Sequence, residues 1–466
     1  MDYLYLKLAL TLGLTLGLYY LPLLRRWRKY VLLAGSCGFL LSVSPWTIVW
    51  LLAAALVTYF CALQLRSEKG TFYYWLGVIF PLLLLGYFKY TNFFASFFHA
   101  KVVILAGALG VSFYSFRIIS YLTDVKRGIL EAEKDFAALT LYLAFFPQII
   151  CGPIERSQSF LSQQKEPIAP SVLRFHAGFE QILWGLFKKL VVADNLATLV
   201  NPVFDNVASY SGFAYVLATL GYTFQIYCDF SGYSDMAIGM ARLFGIDLAD
   251  NFRVPYAASG FKDFWGRWHI SLSTWFRDYV YIPLGGGRCS KLRSLGNIFV
   301  TFLLSGFWHG ANWTFIIWGG LHGVFLGLER LLIGKRAFAT KKGFQIFWGV
   351  VTFVCVTVAW IFFRANSLPD ACSVCGGLFV GLASPLSYFH QGFTKFFAEL
   401  GPFELVRLLL PLAFLIFFEW RYRNESPWLS LAQAGGMKRF LFYVFCLLVI
   451  VLFHAGEPQQ MIYGQF

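Results

Sequence analysis

The stretch WTIVWLLAAALVTYFCALQL, residues 46–65, decides the fold class. It carries no charge, and twenty residues of α-helix at 1.5 Å each cover roughly 30 Å, the thickness of a bilayer's hydrocarbon core. Strand-like alternation is absent, so the backbone of such a run satisfies itself as helix rather than in a closed barrel. Working outward, further apolar runs fall near 4–24, 30–44, 71–88, 102–122, 137–151, 178–200, 212–228, 294–307, 313–333, 344–363, 404–420 and 438–455. The 466-residue chain is 58% hydrophobic and 13% charged, about half the charge of a soluble protein. A water-exposed surface cannot be built from that inventory. The expected fold is an all-α polytopic membrane protein of about eleven membrane helices, with re-entrant or interfacial helices besides.

The formal net charge is +14, which raises the question of nucleic acid. The cations instead gather in short loops beside apolar runs: Arg25–Lys29, Arg66–Lys69, Lys126–Lys134, Arg288–Arg293, Lys335–Lys342, Arg421–Arg423, and Lys438 with Arg439. Such clusters orient spans and form no single basic surface, so no nucleic-acid partner is expected. Placing them in the cytoplasm puts both termini outside, sends 294–307 outward and brings 313–333 back inward. Fifteen Trp and 25 Tyr suit aromatic belts at the interfaces. The first run ends in Leu21-Pro22-Leu23-Leu24-Arg25-Arg26 without a small-residue cleavage site, and is read as a span. Cys372 and Cys375 form a C-x-x-C without the βαβ context of a redox motif.

Residues 251–293, NFRVPYAASGFKDFWGRWHISLSTWFRDYVYIPLGGGRCSKLR, are too polar to cross lipid and too aromatic for an idle loop. They suit the cytoplasmic interface, partly tucked between helices. Lys262, Arg267, Trp268 and Arg277 interleave cations with aromatics, as a phosphate-bearing, partly apolar donor would require. An amphipathic segment on anionic head groups reads equally well.

The candidate catalytic residues lie in SGFWHGANWTFIIWGGLHG, residues 305–323, where His309 and His322 each precede a glycine in apolar surroundings. Intramembrane ionisable groups are costly and point to function. A neutral histidine there offers an acceptor nitrogen to a hydroxyl proton, or else simply bonds between helices. His322 falls about 13 Å into its helix, close to mid-bilayer. Gly319, Gly320 and Gly323 remove bulk where a substrate tail or another helix approaches. Gln225, Asp229 and Asp235 supply a polar core nearby, its carboxylates able to orient a histidine or pair with Arg242. In FPQIICGPIERSQSF, residues 146–160, Glu155 and Arg156 follow a Gly-Pro turn. His309 and His322 are 13 residues apart, which is no metal-ligand spacing, so no metal is expected.

Four of these blocks, FPQIICGPIERSQSF, CDFSGYSDMAIGMARLFGIDLADNFRVPY, FWGRWHISLSTWFRDYVYIPLGG and FWHGANWTFIIWGGLHG, resemble in wording and order the signature blocks of bacterial membrane-bound O-acyltransferases. The resemblance is to the alginate O-acetylation branch, related to peptidoglycan O-acetylation and teichoic acid D-alanylation proteins. It implies one domain over residues 1–466, with N-terminal helices 1–135, a core 136–333 and C-terminal helices 334–466, arranged as a ring around a central funnel. It further implies His322 as catalytic base, with His309 as the second family histidine. On the same resemblance no permanently held cofactor is expected, and acetyl-coenzyme A or another acyl thioester is expected to donate from the cytoplasm. The acyl group is expected to reach a polysaccharide such as alginate through an extracytoplasmic esterase-like transferase, in a bacterial inner membrane. Peptidoglycan, cellulose or teichoic acid are alternative acceptors. MIYGQF, residues 461–466, resembles the F-I-Y-x-x-F tail of this branch, with Met461 at the first aromatic, and implies Tyr463 as a transient acyl carrier. Interfacial anchoring of Tyr463 and Phe466 is the plainer reading. A transporter using His322, Asp229 and Arg242 as a path is the competing class, although no paired halves with broken helices are visible.

Overall fold

A computed structural model describes residues 3–100, 102–103, 109–165, 171–334, 340–397, 401–423, 427–456 and 462. Among these, helices and turns account for the regular structure, with no strand. The uncharged run becomes helix Pro45–Gln64, opened by a proline whose missing N–H costs nothing at a first turn. It buries Leu51, Ala54, Ala55, Thr58, Cys61 and Ala62, while Val49, Leu52, Leu56 and Phe60 point outward. An apolar outer face of this kind is stable only against lipid.

Gly70–Ser96, Trp313–Leu332, Lys342–Arg364 and Gly436–Phe453 are likewise long and apolar enough to cross a membrane. Leu4–Tyr20 and Pro22–Val43 meet that test together but are bent by 103° at Pro22. The remaining apolar runs fold less simply than their hydropathy suggests. The run 137–151 breaks at Phe145 into helices Phe136–Ala144 and Phe146–Ile149. The run 178–200 passes into a π-helical turn, Phe187–Ala193, that carries Lys188 and Lys189. The run 212–228 extends into the 31-residue helix Phe213–Leu243, with Asp229 and Asp235 inside it.

The chain gathers into two compact units that share its sequence discontinuously. The first comprises Met1–Leu183, Tyr233–Asp250 and Trp428–Arg439. Its polar pin is Arg117, fully buried on helix Val111–Lys126, which donates to the carbonyls of Tyr142 and Gln148 at 3.2 Å each. Those carbonyls flank the helix break at Phe145, so the guanidinium satisfies backbone that the break leaves open. Glu155 closes the same region, its carboxylate accepting from Ala249 N–H at 2.8 Å.

The second unit comprises Trp184–Gly232, Asn251–Pro427 and Phe440–Phe466. Its centre is the helical hairpin Lys291–His309 and Trp313–Leu332. Asn312 caps the second helix, its side-chain oxygen accepting from Thr314 N–H at 3.2 Å. Glycines let the two helices touch: a methyl at Gly319 would sit 2.3 Å from the Phe302 carbonyl oxygen, and one at Gly306 2.3 Å from that of Phe315. Of the two roles open to Gly319, the approach of another helix is the one observed.

Candidate active site

The hairpin brings the two histidines against one indole. His309 ends the first helix and His322 lies ten residues into the second, and their ring centroids stand 5.0 and 4.9 Å from that of Trp318. His322 is completely buried, walled by Trp265, Phe264, Phe325 and Trp360 at 5.0 to 6.4 Å between centroids. His309 packs against Trp308 and Phe363.

One polar contact orients His322. The indole Nε1–H of Trp265 donates to its Nδ1 at 3.3 Å. An indole nitrogen is only ever a donor, so Nδ1 supplies the lone pair and the neutral ring carries its hydrogen on Nε2. Nε2 itself is buried without a hydrogen-bond partner among the described residues. A buried polar atom left open in this way is costly, and it leaves Nε2 available to a further hydrogen-bond partner.

The interfacial run supplies the wall. Asn251 clamps it: its Oδ1 accepts from Ser271 Oγ at 2.7 Å and lies 3.2 Å from His269 Nδ1. Val254 and His269 are held at φ of 44° and 42°, a left-handed conformation that a β-branched residue resists and that persists only when its surroundings fix it. His269 is fully buried, and burial pushes its pKa down to about 3.

The expected donor-binding residues separate. Lys262 and Arg277 are exposed, Arg277 pairing with Asp278 at 2.7 Å. Arg267 pairs with Asp263 at 2.8 Å. Trp268 is buried against Trp360 and Phe252 and belongs to the packed aromatic core. The polar core divides as well. Gln225 is buried, its Oε1 without a partner among the described residues. Asp235 accepts from Gln181, which in turn accepts from Arg242. Asp229 meets neither Arg242 nor a histidine. On one continuous helix, thirteen residues put Asp229 and Arg242 about 20 Å apart, and Asp229 bonds Lys189 at 2.6 Å instead. Tyr463 lies outside the described residues, but its neighbour Ile462 donates its N–H to Asp229 Oδ2 at 2.9 Å.

Trp318, Asn251 and Lys189 are the residues that sequence reasoning missed, whereas Trp265 was read only with the cations and aromatics of the interfacial run. Lys189 carried a signal, a charge inside an apolar run. Trp318 carried none, since aromatic residues abound throughout. Among the described residues no three His, Cys, Asp or Glu side chains gather as metal ligands.

The open imidazole nitrogen of His322 thus stands in an aromatic cage between apolar helices, a setting in which a neutral histidine can exchange a proton with a hydroxyl. The model of the membrane-bound O-acyltransferase family matches residues 130–368, which hold both histidines and the interfacial run, and the chain belongs to that family. It is an acyltransferase, and the transporter alternative falls with that assignment. The chain is 39% identical over 390 residues to the probable alginate O-acetylase AlgI of Azotobacter vinelandii, covering 80% of this chain and 76% of the relative. It is 38% identical to the protein of the same description in Pseudomonas aeruginosa, covering 90% and 81%. A peptidoglycan O-acetyltransferase of Helicobacter pylori is 37% identical, covering 71% and 70%.

Proposed function

We propose that this acyltransferase takes an acetyl group from a cytoplasmic thioester such as acetyl-coenzyme A and passes it across a bacterial inner membrane for O-acetylation of an extracytoplasmic polysaccharide. Alginate is the acceptor favoured by the relatives' descriptions; peptidoglycan, cellulose and teichoic acid fit the same chemistry. The carrying observation is His322, completely buried with Nε2 open. In the transfer step an acceptor hydroxyl gives its proton to Nε2 while its oxygen bonds the thioester carbonyl carbon. The carbon–sulfur bond then breaks, and the thiolate takes the proton back from Nε2. A thioester is already activated, so positioning and proton removal supply most of the acceleration. For Nε2 to accept, the ring must carry its hydrogen on Nδ1, and Trp265 must release that atom. His309, packed against the same Trp318 indole, supports the same site.

The first acceptor is the phenol of Tyr463, whose ordinary pKa near 10 demands a base. The Ile462–Asp229 bond supports this reading by tethering the adjacent residue within the unit that contains His322. A secreted esterase-like transferase then moves the group to the polymer. Lys262, Arg267 and Arg277 meet the donor's phosphates on the cytoplasmic side, with Gln225 lining the polar interior. Both termini face outward, as the basic loops require.

The test uses purified protein in nanodiscs with acetyl-labelled acetyl-coenzyme A. Free thiol and label on the C-terminal peptide should appear together, and label should pass to alginate fragments once the partner is supplied. Thiol release with label confined to water or to peptidoglycan fragments would redirect the acceptor. No thiol release from any acyl thioester would overturn the reading.

A further inference from the structure

Asp229 lies in the middle of helix Phe213–Leu243 and is 1% exposed. Its Oδ1 is taken by Lys189 at 2.6 Å, and Lys189 also holds Asp194 at 2.8 Å. A buried carboxylate needs both oxygens satisfied. Among the described residues the donor to its second oxygen is the backbone N–H of Ile462, 233 residues further along the chain.

Two more contacts converge on the same place. Lys189 belongs to the π-helical turn Phe187–Ala193, where the extra residue per turn shifts carbonyls out of the regular ladder. The Leu190 carbonyl accepts from Ala455 N–H at 3.4 Å. Asn195, just past the turn, donates to the carbonyls of Val191 and Phe453 at 2.7 and 2.6 Å. Phe453 ends the helix Gly436–Phe453, so the end of that helix meets Asn195 just past the turn, the residue two beyond it meets the turn itself, and Ile462 meets the ion pair.

We propose that the π-helical turn Phe187–Ala193, with the Lys189–Asp229 pair, is a docking cradle for the chain's own C-terminal segment. Asp229 acts in it as the positioning residue that fixes Ile462. Lys189 holds the carboxylate in place, and the carboxylate reads a backbone N–H, so the cradle recognises the segment's path rather than a side chain. Docking stands independently of the chemistry; its consequence, the presentation of Tyr463 to the acyl donor, rests on the carrier reading above.

The experiment is hydrogen–deuterium exchange of the C-terminal peptide in full-length protein in nanodiscs, with donor turnover measured alongside. Asp229→Ala removes the acceptor. Ile462→Pro removes the donor N–H and leaves the buried ion pair intact, so it decides the matter if Asp229→Ala folds poorly. Both should speed exchange of the peptide at least tenfold and lower kcat with the donor KM unchanged. Tyr463→Phe should leave exchange as in the wild type. If Tyr463→Phe also transferred normally, the carrier reading would fall and the cradle would stand. Unchanged exchange in Ile462→Pro would overturn the cradle, whatever Tyr463→Phe does.

Discussion

The indole N–H of Trp265 donates to Nδ1 of His322 across 3.3 Å, which holds the imidazole hydrogen on Nε2, the atom that accepts a proton in the proposed transfer step. On that proposal Trp265 restrains the base it orients. A net hydrogen bond is worth about 0.5–1.5 kcal/mol, which corresponds to roughly two- to tenfold in rate. Trp265→Phe keeps the ring and deletes the N–H, so the single-turnover chemical step should quicken by a factor in that range. Nitrogen-15 spectra of histidine-labelled protein should show the His322 tautomer mixed in the variant and single in the wild type. A slower step, with the tautomer unchanged, would assign Trp265 to packing alone.

Two of the three cations proposed to bind the donor are already engaged elsewhere. Arg267 and Arg277 are paired with Asp263 and Asp278, so each phosphate contact exchanges one partner for another. Charge-assisted contacts are worth up to about 1.5–3 kcal/mol when new, and less in exchange. The triple change Lys262→Ala, Arg267→Ala and Arg277→Ala should raise the donor KM five- to fiftyfold at low salt with kcat little altered. Salt should narrow the gap. An unchanged KM would leave these side chains to lipid head groups.

His269 gives stability a pH dependence. Burial sets its pKa at about 3 against an ordinary 6.5, so the folded ring stays neutral where the unfolded one takes a proton. The unfolded state therefore binds the extra proton between about pH 6.5 and 3. Stability falls as pH is lowered through that window, by up to about 1.4 kcal/mol per unit, and is unaffected above it. Thermal unfolding in detergent should lose more between pH 7 and 4.5 in the wild type than in His269→Gln. Parallel losses would remove His269 from the account of acid sensitivity.

The lipid-facing helices were legible because their evidence is local. The run 344–363 became Lys342–Arg364, and 438–455 became Gly436–Phe453, each specified by its own apolar length. His309 and His322 were legible as unusual groups in apolar runs. Their common neighbour Trp318 was not, because a ring contact across a hairpin leaves no periodic trace. The pairing of Asp229 failed for a related reason. Arg242 was the nearest cation in its block, but helix rise separates them, and the true partner Lys189 lay 40 residues earlier, a charge passed over in a stretch read as one continuous apolar run. Trp268 shared its composition with a ligand-binding strip, and only packing shows that it faces inward.

The central claim is that acyl transfer depends on the open nitrogen of His322. The direct measurement is thiol release from labelled acetyl-coenzyme A by purified His322→Ala protein in nanodiscs, beside the wild type and with thermal unfolding of both. The substitution empties a cage of rings without burying a charge, so insertion and the bulk of stability should persist while turnover falls at least a thousandfold, a loss of about 4 kcal/mol of transition-state stabilisation. Turnover above half the wild-type rate in a folded His322→Ala protein would contradict the assignment outright.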